Sequence, residues 1–170
     1  MMTRYLVYTS PARGHLYPIV PTLEELQRRE HEVVVRTLPS EVELLRNLGF
    51  EAEAIDPAIE REEHADWQAR TPIGALRENL HVFFVRARHD GPDLRRAIEE
   101  ERPDALLIDI NTYGATAVAE SSGLPWATWC PYFLPTPSRD APPFGLGLTP
   151  ARGALGRLRD HLLSPVLFDL

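Results

Sequence analysis

Tyr5-Leu6-Val7-Tyr8-Thr9-Ser10-Pro11-Ala12-Arg13-Gly14-His15 is the stretch that decides how this chain folds. Tyr5 to Tyr8 read as a buried strand, and Ser10 to His15 as a short loop. Leu16, Ile19, Val20, Leu23 and Leu26 then recur at helical spacing. A strand–loop–helix unit places its loop at the carboxyl edge of a parallel sheet, where open α/β proteins bind ligands. Gly14 lets the backbone turn tightly there. Pro18 and Pro21 fall in the first turns of the helix, where a missing N–H is best tolerated. His15 sits at the helix entry with its imidazole free to face a cleft. On its own, such a histidine is commonly a surface or capping residue.

A second residue changes that reading. Pro103-Asp104-Ala105-Leu106-Leu107-Ile108-Asp109 is an apolar run closed by an acid, and a helix from Thr112 to Glu120 follows, ending at Gly123. If the two strands are parallel neighbours, His15 and Asp109 emerge at one edge. A buried carboxylate that accepts from one ring nitrogen fixes the tautomer and stabilises the imidazolium. The other nitrogen can then serve as a general base near neutral pH.

Between these segments the pattern continues to alternate. Glu32 to Thr37 is a second strand, Ser40 offers an N-cap to a helix from Glu41 to Leu48 with Glu43 completing a capping box, and Phe50 to Ile55 is a third strand. Three strands joined by helices define a parallel βαβαβ half with right-handed crossovers. Residues 56–73 read as irregular, and the charged run Glu60-Arg61-Glu62-Glu63-His64 as a solvated insertion. Helices are expected over Ala75–Arg88 and Pro92–Arg102, and a fifth strand over Trp126–Trp129. The fold class is therefore α/β, a Rossmann-like doubly wound parallel sheet. Residues 131–150 are rich in proline and carry Tyr132, Phe133 and Phe144, which suits either a linker or one wall of an apolar pocket.

The 170 residues suit a single core that buries roughly 70% of the unfolded chain's surface. A net charge of −7 argues against nucleic acid as a partner, and no apolar run is long enough to span a membrane. Cys130 alone cannot form an internal disulfide, and no signal peptide is evident, so a cytoplasmic location is expected; Cys130 itself reads as a small buried residue. All 18 basic residues are arginine, a mark of a GC-rich genome. Without lysine there is no phosphate-binding P-loop, Ser10 to His15 lacks the three glycines of a dinucleotide site, and no Gly-x-Ser-x-Gly nucleophile elbow occurs. No Asp-x-Asp pair or cluster of ligand residues points to a metal, so no metal or cofactor is expected.

Gly14-His15-Leu16-Tyr17-Pro18, Asp109 closing its strand, the Ala-rich helix and Gly123-Leu124-Pro125 together resemble the N-terminal half of a GT-B glycosyltransferase. The similarity runs from residue 4 to about 165. The nearest branch attaches sugars from nucleotide-diphosphate donors to macrolides and other small hydrophobic natural products. The resemblance implies that His15 is the catalytic base and Asp109 its orienting partner, with inversion at the anomeric carbon. It also implies that the loops after the third and fifth strands, with the helix after the third, bind the acceptor, making Trp67, Phe83, Phe84, Tyr132 and Phe133 candidate lining residues. The family's C-terminal half holds the nucleotide sugar as co-substrate, and its Gly-rich donor motif is absent here. The whole chain, 1–170, thus reads as an N-terminal acceptor-binding domain, truncated, whose partners are a hydroxyl-bearing acceptor and a C-terminal donor-binding domain. As such a fragment it is expected to be inactive alone. The alternative is a non-catalytic small-molecule-binding module or a partner subunit of a separate transferase.

Overall fold

The computed structural model of the chain describes residues 2–133, 138 and 141–168, the last three by backbone only. Parts of the proline-rich segment, residues 134–137, 139 and 140, and the final pair Asp169-Leu170 lie outside the described residues. The chain divides into two compact units, residues 1–63 with 81–131, and residues 64–80 with 132–170.

The first unit is built on five parallel strands: β1 (Arg4–Tyr8), β2 (Glu32–Thr37), β3 (Glu51–Ala54), β4 (Ala105–Asp109) and β5 (Trp126–Trp129). Their order in the sheet is β3-β2-β1-β4-β5. The order reverses between β1 and β4, so the crevice beyond their carboxyl ends is the switch point at which open α/β sheets place ligands. β1 is central because it is apolar on both faces. Leu6 and Tyr8 enter one core with Val34, Leu106, Ile108, Leu94, Ala97 and Ala115, while Val7 enters the other with Val35, Leu16, Ile19, Leu23 and Leu45. The strand alternation assigns successive residues to opposite faces, and each face is covered by helix.

The helices are α1 (Arg13–Leu16), a 3₁₀ turn at Tyr17–Ile19, α2 (Val20–Arg28), α3 (Val42–Asn47), α4 (Pro57–Arg61), α5 (Pro72–Glu101) and α6 (Tyr113–Ser122). Three differ from the sequence reading. The helix after β2 begins with a 3₁₀ turn, Pro39–Glu41, and Ser40 does not cap it, because its hydroxyl donates to Glu41 instead. Part of the segment read as irregular is helical, since Asp56 caps Ala58 and Pro57 starts α4. The third difference is α5, one helix where two were expected. Pro92 should have broken it, yet Arg88 and Pro92 are both exposed. On that exposed face water can take over the carbonyl bond that Pro92 leaves unmade.

Gly91 and Gly114 let α5 and α6 touch. A Cβ at Gly91 would sit 3.2 Å from the Gly114 carbonyl oxygen, and one at Gly114 would run into the Ala87 carbonyl and the Asp90 carboxylate. Asp90, 1% exposed, uses this proximity: its Oδ1 accepts from the Ala115 amide at 2.8 Å and so caps α6 from a neighbouring helix.

In the second unit, Tyr132, Phe133 and Phe144 form an aromatic group, with Tyr132 and Phe144 stacked at 6.2 Å between centroids. Leu76 lies against Gly145, and Arg159 of helix α7 (Ala154–Phe168) donates to the Thr149 carbonyl at 2.8 Å. Among the described residues no helix is long and apolar enough to cross a membrane.

Candidate active site

At the carboxyl end of β4, Asp109 is fully buried and both of its oxygens are engaged. The His15 Nδ1 lies 2.8 Å from Oδ2 and 3.0 Å from Oδ1. Ser10 donates its hydroxyl to Oδ2 at 3.1 Å, and the Asn111 amide donates to Oδ1 at 2.9 Å. Three donors from two loops hold the carboxylate in one orientation. Because a carboxylate only accepts, Nδ1 carries the proton, and Nε2 of neutral His15 is left with the lone pair.

The backbone around the pair is also fixed. The Thr112 hydroxyl donates to the Asp109 carbonyl at 2.7 Å and closes the turn into α6. On the other side Trp129, the register partner of Asp109 on β5, donates its indole N–H to the His15 carbonyl at 3.0 Å. The His15 side chain retains 15% exposure while Asp109 has none, so the pair presents the imidazole and hides the acid.

Glu41 adds a clamp that the sequence reading missed, having assigned this residue to a helix start. Its side chain, almost fully buried, accepts from the Arg13 guanidinium at 2.6 Å and from the Tyr17 hydroxyl at 2.8 Å. Arg13 and Tyr17 stand two residues before and two after His15, so one carboxylate pins the loop on both flanks of the imidazole. The hydrogen bond from Arg13, with that from Tyr17, holds the Glu41 carboxyl below its usual range. Asn111 was missed as well. Its side-chain nitrogen lies 3.3 Å from Nε2 of His15, and the only clue in the sequence was a polar residue two positions after a strand-ending acid.

Five aromatic residues were expected beside the site. Phe83 and Phe84 on α5 both meet Tyr113, the first residue of α6, with centroids 5.5 Å apart in each case. Tyr113 follows the Asp109 turn directly, so this group stands at the carboxyl edge of the sheet, and Phe84 is 63% exposed. Tyr132 and Phe133 pack with Phe144 in the second unit. Trp67 is 71% exposed on a 3₁₀ turn. Cys130 is half-buried, not buried as the sequence suggested, because it lies just past the end of β5.

The doubly wound parallel sheet that carries the His15–Asp109 pair is matched, in sequence and in fold, by parts of known glycosyltransferases. Two relatives carry the match in sequence. The chain is 33% identical over 173 residues to 4'-demethylrebeccamycin synthase of Lentzea aerocolonigenes, covering 96% of this chain and 41% of that protein. It is 32% identical over 139 residues to elloramycin glycosyltransferase ElmGT of Streptomyces olivaceus, covering 72% of this chain and 35% of that one. The fold matches the crystal structure of the Streptomyces sp. SF2575 glycosyltransferase SsfS6 complexed with thymidine diphosphate, with a TM-score of 0.63 at 19% identity, over 74% of this chain and 38% of that chain. No protein-family model matches. The chain is a homologue of antibiotic glycosyltransferases. It spans about two fifths of the length of the first of these relatives and about a third of the second.

Proposed function

We propose that this chain is the acceptor-binding, base-carrying part of a glycosyltransferase, the sugar donor being held by a domain that it does not include. The reaction moves a sugar from a nucleotide diphosphate to a hydroxyl of a small hydrophobic acceptor. The observation that carries this reading is the His15–Asp109 pair at the switch point, the acid buried and the imidazole partly open. His15 Nε2 takes the hydroxyl proton as the acceptor oxygen attacks the anomeric carbon. The bond from that carbon to the diphosphate breaks, and its electron pair leaves with the nucleotide. Attack from the side opposite the leaving group inverts the anomeric centre. Asp109 holds the imidazolium that results. General-base catalysis of this kind contributes on the order of 10²–10⁴-fold, so positioning and stabilisation of the leaving group must supply the rest.

The acceptor is proposed to rest against Phe83 and Phe84, which form a group with Tyr113 at the same sheet edge as His15. A polycyclic aglycone would bury its rings there and expose one hydroxyl to His15. No metal is invoked.

The test uses the full-length protein with thymidine- and uridine-diphosphate glucose and a set of hydroxylated polycyclic aglycones, followed by mass spectrometry. Glycosylated product that disappears in His15→Ala is the expected result. A His15→Ala protein that turns over like the wild type removes the assigned base. A full-length protein that binds aglycones and transfers nothing favours the binding-module reading.

A further inference from the structure

The His15 imidazole is held at both nitrogens. Asp109 takes the Nδ1 proton, and the Asn111 carboxamide lies 3.3 Å from Nε2. With Nε2 unprotonated, only the N–H end of that carboxamide can face it favourably. Asn111 is not there by chance of rotamer alone, because its own backbone amide donates to Asp109 Oδ1 at 2.9 Å. One buried carboxylate therefore places both the imidazole and the residue that addresses its far nitrogen. On the other side of the pair, Ser10 gives its hydroxyl to Asp109 and Trp129 its indole N–H to the His15 backbone.

We propose that Asn111 is a positioning residue for His15: its side-chain N–H donates to the Nε2 lone pair, keeps that nitrogen unprotonated in the resting site, and aims it where an acceptor hydroxyl must arrive. The hydroxyl oxygen can then accept from the Asn111 N–H while its own proton points at Nε2, so one donor serves the resting state and the loaded state in turn. This builds on the base role proposed for His15, but the contact itself can be tested without any sugar transfer.

Two measurements on the full-length protein decide it. In the first, protein labelled with ¹⁵N-histidine is read at neutral pH for the protonation state of each His15 nitrogen, with His15→Ala providing the assignment. Wild type should show a protonated Nδ1 and an unprotonated, hydrogen-bonded Nε2. Asn111→Asp replaces a donor by an anion at the same place and should bring Nε2 into the protonated range. An Nε2 signal that stays unprotonated and unshifted in that variant overturns the proposal. In the second, diethylpyrocarbonate, which is attacked by the imidazole lone pair, is the probe, and modification of His15 is followed by mass spectrometry. Asn111→Leu keeps the bulk but loses the donor, and it should speed modification by about 5- to 10-fold, the factor carried by one ordinary hydrogen bond. A wild-type rate in Asn111→Leu also overturns the proposal. Loss of transfer activity in His15→Ala is the separate test of the base role, so the two ideas can fail independently.

Discussion

Asp109 and His15, 94 residues apart in sequence, meet through a 2.8 Å hydrogen bond because β4 lies directly beside β1. In that register Tyr8 pairs with Ile108, and the next residues of the two strands lead into the loops that carry the pair. Strand pairing, not loop conformation, therefore sets the distance. The pair rests on a rigid element, as a precisely placed hydrogen bond requires.

On the base role proposed for His15, Asp109→Asn should leave the sheet intact and still damage turnover in the full-length protein. An amide can present its N–H to Nδ1 and force the other tautomer, which puts a proton on the nitrogen meant to accept one. The expected loss in kcat is on the order of 10²-fold or more, within the range for general-base catalysis. Steady-state kinetics at saturating donor and acceptor, with circular dichroism as the folding control, measure it. A variant with wild-type kcat would show that the acid only fills space.

The Glu41 clamp predicts a different signature. Glu41→Gln keeps the shape but weakens the charged hydrogen bonds from Arg13 and Tyr17. Stability should fall by about 1–2 kcal/mol, at the low end of the roughly 1.5–3 kcal/mol usual for hydrogen bonds to a charged group, because Arg13 is largely exposed. The sign with pH follows from the lowered carboxyl: the Glu41 contribution is present above the unfolded carboxyl range and is lost as pH falls through the folded value. Urea unfolding of both proteins at pH 7 and pH 3.5 should show the gap closing at the lower pH. A gap of the same size at both would mean that the charge on Glu41 is immaterial.

Much of this was legible before the structure. β1, β2 and β4 are apolar runs too hydrophobic for anything but the middle of a sheet, and an acid that ends such a run has to be explained. The Arg13–Glu41 and Asn111–His15 contacts were not legible, because each joins loops from different crossovers whose approach depends on strand order. Likewise Gly91-Pro92 spells a helix end locally. It becomes a helix interior only because the glycine is needed opposite Gly114 and the proline falls on the wet side. The aromatic residues were the least readable, since an aromatic side chain says that it must be covered and not by what.

Gly114 and Gly91 make a paired prediction. Gly114→Ala drives a methyl into the Ala87 carbonyl and the Asp90 carboxylate, neither of which is the loose end of a flexible side chain. Separating α5 from α6 should cost about 2–4 kcal/mol, in the upper range for overpacking. Gly91→Ala meets the Gly114 carbonyl at 3.2 Å, a small intrusion set against the roughly 1 kcal/mol by which alanine favours a helix interior over glycine. Its effect should be near zero. Thermal unfolding of the two variants side by side checks the contrast, and equal destabilisation would contradict this packing.

Asp90 gives the last prediction, on pH. It is buried between α5 and α6, and burial pushes its carboxyl up to about 7, against the pull of the Ala115 and Gly114 amides; Asp93 nearby adds to the rise and Arg86 opposes it. In the unfolded chain the same carboxyl has an ordinary value near 4. The native state therefore holds the Asp90 proton more tightly than the unfolded state does. Its contribution to stability is greatest below about pH 4 and declines as pH rises towards about 7, where the buried carboxyl ionises. Asn in place of Asp90 keeps an acceptor for the Ala115 amide and never ionises. Asp90→Asn should accordingly match the wild type at about pH 4 and below, gain on it as pH rises to about 7, and hold that gain above. Urea unfolding across that range gives the difference directly, and groups common to both proteins cancel in the subtraction. If the two curves stay parallel, Asp90 titrates as it does in water, and its cap on α6 is that of an ordinary carboxylate.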